Sequence, residues 1–259
     1  AQWMGLGFIH GVMNTDNTAL SGETIDYGPC AFMDDFHPAT VFSSIDSGGR
    51  YAYANQPQIA QWNLVKLAQA LLPLIDDDTE KAVAAAQSCI DTYPDRFEAA
   101  YADGLRAKLG LARQEPGDLQ LGHDLLTAMG ESGADFTLTF RALCDLSAID
   151  PAGDAVVRQH FAEPAAFDRW AARWRERLGL ETRPETERQA AMRRVNPAYI
   201  PRNHRVQEAI AAAEGAGDYA PFERLLGVLA RPYDDQPENA AYQRPPRPEE
   251  VVHATFCGT

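Results

Sequence analysis

The 259 residues carry 23 Lys and Arg against 37 Asp and Glu, a net charge of −14, and 45% of them are hydrophobic. That supplies a core for one large domain or two small ones, while so acidic a surface repels nucleic acid and anionic membranes. No apolar run approaches the roughly 20 residues that span a bilayer, and the first residues lack the basic-then-apolar order of a signal peptide. Four scattered cysteines (Cys30, Cys89, Cys144 and Cys257), with no CxxC pair, argue against a disulfide scaffold and for a reducing compartment, expected to be the cytoplasm. The first residue is Ala1, not Met, and chemistry-bearing residues crowd the first thirty positions, so a piece of a longer chain is expected.

In chain order, Ala1 to Ile9 reads as the end of a helix and His10 to Asn17 as a polar loop. Thr18–Leu20 and Glu23–Asp26 are predicted strands joined by a Ser21-Gly22 hairpin turn. Cys30 to Tyr53, rich in Asp, Ser, Gly and Pro, is expected to be ordered but irregular. A helix starts near Pro57, with Asn55 as a candidate cap. Its apolar residues Ile59, Trp62, Leu64, Val65, Leu67, Leu71 and Leu72 cover most of the circumference, which predicts a buried helix. Asp78 caps the next helix through Ile90; Pro94 interrupts it, and a further helix through Leu109 stops at Gly110. Helices follow over 118–129, 136–146, 167–178, 206–213 and 219–229. Trp170 and Trp174 share one face. The Pro-rich tail after Arg231 is expected to run over the surface. The pattern is α-rich with a small β element.

The chemistry lies at the front. A protein kinase carries a His and an Asn seven residues apart in its catalytic loop, and an Asp-Phe-Gly after the next turn. Here His10 and Asn17 keep that spacing, and Asp26-Tyr27-Gly28 stands where Asp-Phe-Gly would. An Asn carbonyl and an Asp carboxylate are the hard oxygen donors that Mg²⁺ needs when it bridges ATP phosphates. The usual base, two residues after the His, is replaced by Val12, and a carboxylate stands instead at Asp16. Taken by themselves these residues also read as ordinary turn and capping residues.

Longer stretches resolve the choice. HGVMNTDNTALSGETIDYGP followed by FMDDF, the run from Gly49 to Ile75, AKLGL (107–111), NPAYIPRNH (196–204), EAIAAAEGAGDY (208–219) and RPYDDQPE (231–238) resemble the selenoprotein O (SelO) family from end to end. The resemblance implies a protein-kinase-like fold that binds ATP in a reversed orientation and transfers AMP to Ser, Thr or Tyr hydroxyls of proteins; some members are described as transferring UMP with Mn²⁺. It implies Asp16 as proton acceptor, Asn17 and Asp26 as ligands of Mg²⁺ or Mn²⁺, and Asp26 also beside the nucleotide phosphates. The expected architecture is therefore an α-rich α+β chain. Residues 1–150 form a kinase-like C-lobe with a β-hairpin at the active site and a buried central helix, and residues 151–259 a helical C-terminal extension.

The family's N-lobe, with its Gly-rich region and ATP-contacting Lys, has no counterpart here, since Lys66, Lys81 and Lys108 all follow the metal motif. The chain alone is thus expected to bind Mg²⁺-ATP weakly and to transfer no AMP. In some bacterial members a C-terminal Cys pairs with one after Asp-Tyr-Gly. Cys257 fits the first, the second falls near Phe42, and Cys30 is the nearest substitute, with two free thiols as the other reading. Asp34, Asp35 and His37 read as solvated turn residues rather than a second metal site. His204 reads as a structural hydrogen-bonding residue, and nothing in the spacing gives Arg202 a substrate role. Trp62, Trp170 and Trp174 read as packing, and His123, His160 and His253 as surface residues. Two other classes compete: a non-catalytic helical interaction module with a relic kinase loop, and a small-molecule phosphotransferase, which Val12 disfavours. Protein substrates and ATP are the expected partners, without nucleic acid or membrane.

Overall fold

A computed structural model describes residues 1–256. Helix α1 (Gln2–Leu6) leads into β1 (Phe8–Ile9), which pairs antiparallel with β2 (Ala31–Phe32) in the register Phe8 to Phe32 and Ile9 to Ala31. The strands predicted at 18–20 and 23–26 do not form. Leu20 and Ile25 are exposed, so a hairpin there would bury nothing, whereas Phe8, Ile9 and Ala31 all lie in the interior. The β element is the closure of the long loop, not a hairpin within it.

Two long helices follow, α2 (Gln56–Ile75) and α3 (Thr79–Ile90), packed on each other. Asp78 caps α3 by accepting from the Glu80 and Lys81 backbone N–H groups, as its position predicts. The expectation of a buried α2 is corrected: Trp62 is 40% exposed and Leu74 82%, and only Gln56 and Asn63 are buried. Its apolar residues are shared between α3 and solvent because α2 flanks the core. Trp62 is accordingly no core residue; its ring lies under Arg50 and Lys66, at 4.8 and 5.1 Å.

The core is built by α4 (Tyr93–Lys108), α5 (Asp118–Ser132), α6 (Phe136–Leu143), the short α7 (Ala155–Arg158), α8 (Pro164–Leu178) and α9 (Glu185–Arg193). Pro94 sits in the first turn of α4, where its missing N–H costs nothing, rather than breaking a helix. Trp170 and Trp174 stack at 5.7 Å in the interior, and each indole N–H finds a carbonyl, Leu121 at 2.8 Å and Leu109 at 2.9 Å. Gly110, which ends α4, has φ +76; a Cβ there would lie 2.7 Å from Met192 Sδ and 2.8 Å from Arg188 Cγ, so α9 packs on the space a side chain would fill. The main apolar core runs from Met4 to Met192 and takes in residues on both sides of position 150.

Helices α10 (Asn203–Ala216) and α11 (Ala220–Leu229) pack as a pair, and a smaller core of Ala198, Tyr199 and Val228 lies beneath α11. The tail carries 3-10 turns at Pro237–Tyr242 and Pro248–Glu250 and returns to the front, where Thr255 bridges Ser43. Arg202 fastens this part to the rest. It is 1% exposed and donates to Asp34 at 2.6 Å, to Asp135 at 2.5 Å and to the Gln243 carbonyl at 3.1 Å. Asp34 is therefore neither a solvated turn residue nor a metal ligand. Asn203 adds a bond to the Phe32 carbonyl on β2. His204 is buried, but neither ring nitrogen has a partner among the described residues, which corrects its reading as a hydrogen-bonding residue. His123 and His160 are half-buried and His253 exposed. Among the described residues no helix is long and apolar enough to cross a membrane.

Candidate functional site

Residues 10–30 leave β1, form a loop over the front of the molecule and return at β2. His10 organises it. The residue is 1% exposed and its ring stacks on Trp3 at 5.4 Å. Its Nδ1 accepts the Val12 N–H at 3.3 Å, which leaves Nε2 to carry the proton and donate it to the Ile25 carbonyl at 2.7 Å. One neutral imidazole thereby joins the segment bearing Asp16 and Asn17 to the segment bearing Asp26. Gly11 follows with φ +85, and a Cβ there would meet the Pro29 carbonyl at 3.0 Å and Ser43 Cβ at 3.3 Å, so the His-Gly opening is required by space as well as by backbone. Val12, two residues after His10, points inward and is buried.

Asp16 lies in a single 3-10 turn, Thr15–Asn17, with its side chain exposed. Asn17 is half-buried and spends its amide N–H on the Val12 carbonyl at 3.0 Å. That bond fixes the amide so that the carbonyl oxygen is the atom left over. Asp26 is exposed and has φ 56, the sole non-glycine residue with positive φ among the described residues. Asp tolerates this conformation better than most residues, but it still costs on the order of 1 kcal/mol and persists only where the surroundings impose it. Here the His10 bond to Ile25 and the buried Pro29 hold the backbone on either side.

Three side chains outside the loop position it. Gln56 accepts the His10 backbone N–H at 3.0 Å and donates to the Phe8 carbonyl at 2.9 Å. Asn63 donates to the Met13 carbonyl at 3.0 Å and to Thr18 Oγ1 at 2.9 Å. Tyr51 donates its hydroxyl to Asn14 Oδ1. Gln56 and Asn63 are two turns apart on α2 and are its buried residues, so the helix presents a polar face to the loop. The sequence offers little signal for them, since α2 also carries Gln58, Gln61 and Gln69 and nothing in their spacing marks Gln56 and Asn63 as the buried pair.

Among the described residues no group of three or more His, Cys, Asp or Glu side chains could hold a metal ion. Mg²⁺ in nucleotide sites typically takes one or two carboxylates and draws its remaining ligands from water and phosphate. The Asn17 oxygen, which accepts no hydrogen bond among the described residues, and the exposed Asp26 carboxylate are donors of that type. Cys30 is half-buried, and burial pushes its thiol up to about 11, which keeps it from being a thiolate at neutral pH; the Cys257 proposed to pair with it lies outside the described residues.

The family model described as protein adenylyltransferase SelO matches residues 1–230. Similar curated proteins include the protein nucleotidyltransferase YdiU of Nitrobacter hamburgensis, 59% identical over 259 residues, covering 100% of this chain and 51% of that protein. Those of Nitrobacter winogradskyi, 58% identical, and Rhizobium etli, 59% identical, are covered to 51% and 52% of their lengths, again by all of this chain. The chain thus spans about half the length of the curated relatives it matches.

Proposed function

Because the chain belongs to the SelO family of protein nucleotidyltransferases, we propose that it forms the metal-binding part of an enzyme that transfers AMP from ATP to Ser, Thr or Tyr hydroxyls of other proteins. The observation that carries the reading is the 2.7 Å bond from His10 to the Ile25 carbonyl, which locks the loop of Asp16 and Asn17 to the segment of Asp26. Two unrelated turns would need no such tie.

Asp16 is the proton acceptor. Its exposed carboxylate takes the proton of the incoming hydroxyl as that oxygen bonds to the α-phosphorus and the α–β anhydride bond breaks, releasing pyrophosphate. Asn17 and Asp26 would hold Mg²⁺ or Mn²⁺, which when bound neutralises charge on the phosphates. Gln56, Asn63 and Tyr51 keep the loop in place beforehand, so little reorganisation is left for the reaction itself.

Labelled ATP tests this with the complete gene product and candidate protein acceptors. Label at the α-phosphorus should enter protein and label at the γ-phosphorus should not, with UTP run in parallel. Asp16→Ala should abolish transfer yet leave Mn²⁺ binding, followed by electron paramagnetic resonance, within about twofold, whereas Asp26→Ala should weaken it by about tenfold or more. Transfer of γ-label, or undiminished Mn²⁺ affinity in the Asp26 variant, would sink the proposal.

A further inference from the structure

Arg50, Trp62 and Lys66 form a small cationic surface beside the loop of residues 10–30. The Arg50 guanidinium lies 4.8 Å from the centre of the Trp62 ring and the Lys66 ammonium 5.1 Å from it. All three residues are exposed, and among the described residues neither cation forms an ion pair. The acid nearest to Arg50 in the chain, Asp46, is committed elsewhere: one carboxylate oxygen accepts the Arg50 backbone N–H and the other that of Tyr51, each at 2.8 Å. Lys66 reaches only the neutral Gln69 side chain, at 3.3 Å. In a chain with a net charge of −14, two cations without a carboxylate thus meet on one exposed ring and make a local positive field.

Direct contacts join this surface to the candidate site. Arg50 also lies 5.7 Å from the centre of the Tyr51 ring, and the Tyr51 hydroxyl donates to Asn14, two residues before Asp16. On α2, Asn63 adjoins Trp62 and stands one turn before Lys66. Its bonds to Met13 and Thr18 fall on either side of the Thr15–Asn17 turn, against which the helix packs. Rings and cations therefore run from Lys66 to the residues that flank Asp16. We propose that this surface receives the acceptor polypeptide, with Arg50 and Lys66 pairing acidic residues near the hydroxyl and the chain lying on Trp62. The proposal rests on the transferase reading and names its substrate class, a hydroxyl in an acidic segment. The ring holds the planar guanidinium ready for a carboxylate. A nucleic acid fits less well, because a long polyanion would also meet the acidic remainder of the molecule, whereas a short acidic segment meets the patch alone.

Fluorescence anisotropy with the complete gene product tests this without ATP, so the result is read whether or not transfer occurs. A labelled peptide with one Ser in a run of Glu should bind, and release as salt rises; the same peptide with Lys in place of Glu should bind about tenfold more weakly or worse. Arg50→Gln and Lys66→Gln should each weaken binding of the acidic peptide by about threefold or more at an unchanged thermal midpoint. Reversing both charges, with Arg50→Glu and Lys66→Glu together, should turn the preference toward the Lys peptide, an outcome that misfolding does not produce. When α-label from ATP enters the acidic peptide, the double Gln variant should raise KM and leave kcat within about twofold. Equal binding of the two peptides, or an undiminished preference for the acidic one after charge reversal, would overturn the proposal. So would competitive displacement of the acidic peptide by Mg²⁺-ATP, which would assign the cations to the nucleotide, or tighter binding of an oligothymidylate, which would assign them to nucleic acid.

Discussion

Replacing Arg202 by Met keeps most of the side-chain volume and removes every bond its guanidinium makes. Asp34 and Asp135 are then left facing each other without the cation that both now share at 2.6 and 2.5 Å. Asp135 is 5% exposed at its side chain and Asp34 20%, so water can rescue the second but hardly the first. Breaking a buried pair from one side costs about 3–5 kcal/mol. A midrange loss of about 4 kcal/mol corresponds to about 10 °C in melting temperature for a chain of this size. The deficit also has a pH signature. Burial already raises the Asp34 carboxyl, and Arg202 draws it part of the way back down. Without the arginine the folded-state value rises further, so the folded variant holds this proton more tightly than the unfolded chain does. Its stability relative to the parent is lowest above that raised value and recovers as pH falls through it toward the ordinary carboxylate range. Urea unfolding of Arg202→Met and the parent between neutral pH and about pH 5 measures both effects. A loss below about 1 kcal/mol at neutral pH, or a deficit that grows on acidification, would refute the reasoning.

Two further substitutions probe the loop and the core. Asn63→Leu removes the bonds to Met13 and Thr18, and should cost about 2 kcal/mol in urea unfolding and weaken Mn²⁺ binding at Asn17 and Asp26; unchanged Mn²⁺ affinity would show that α2 does not position the loop. Gly110→Ala forces a Cβ against Met192 and Arg188 at φ +76 and should cost about 2–4 kcal/mol, read as an earlier urea midpoint at unchanged slope.

Helices with an apolar stripe and a marked end were legible from sequence. Asp78 announced the start of α3, Gly110 the end of α4, and Trp170 with Trp174 the buried face of α8. Helix α9 was not, because of the two residues it sends inward, Arg188 and Met192, one is charged: Arg188 is buried over the Trp174 ring at 5.4 Å and donates to the Leu146 carbonyl. Hydrophobic periodicity cannot register a core-facing arginine whose charge is satisfied by a ring and a carbonyl. The same rule misjudged α2, where apolar residues were counted and the two amides that decide its orientation were not. At the candidate site, kinase-like spacing drew notice to Asn17 and Asp26, but the choice against ordinary turn residues, and the role expected of Asp16, came from the family resemblance. The bond that links them left no mark in the sequence, since it ends on the backbone carbonyl of Ile25, an atom every residue possesses. Arg202 was equally silent: its partners Asp34 and Asp135 are far away in the chain, and no local pattern marks so distant an ion pair.

The loop of residues 10–30 is tied at two levels, first where β1 meets β2 and again where His10 grips Ile25. A double knot of this kind divides the loop into a fixed stem and a tip. Residues 11–24, with Asp16 and Asn17 among them, lie beyond both ties, and the Asn63 bonds to Met13 and Thr18 hold the first part of that tip. A change of length confined to residues 19–23 is therefore expected to leave both ties, and the backbone on either side of them, in place.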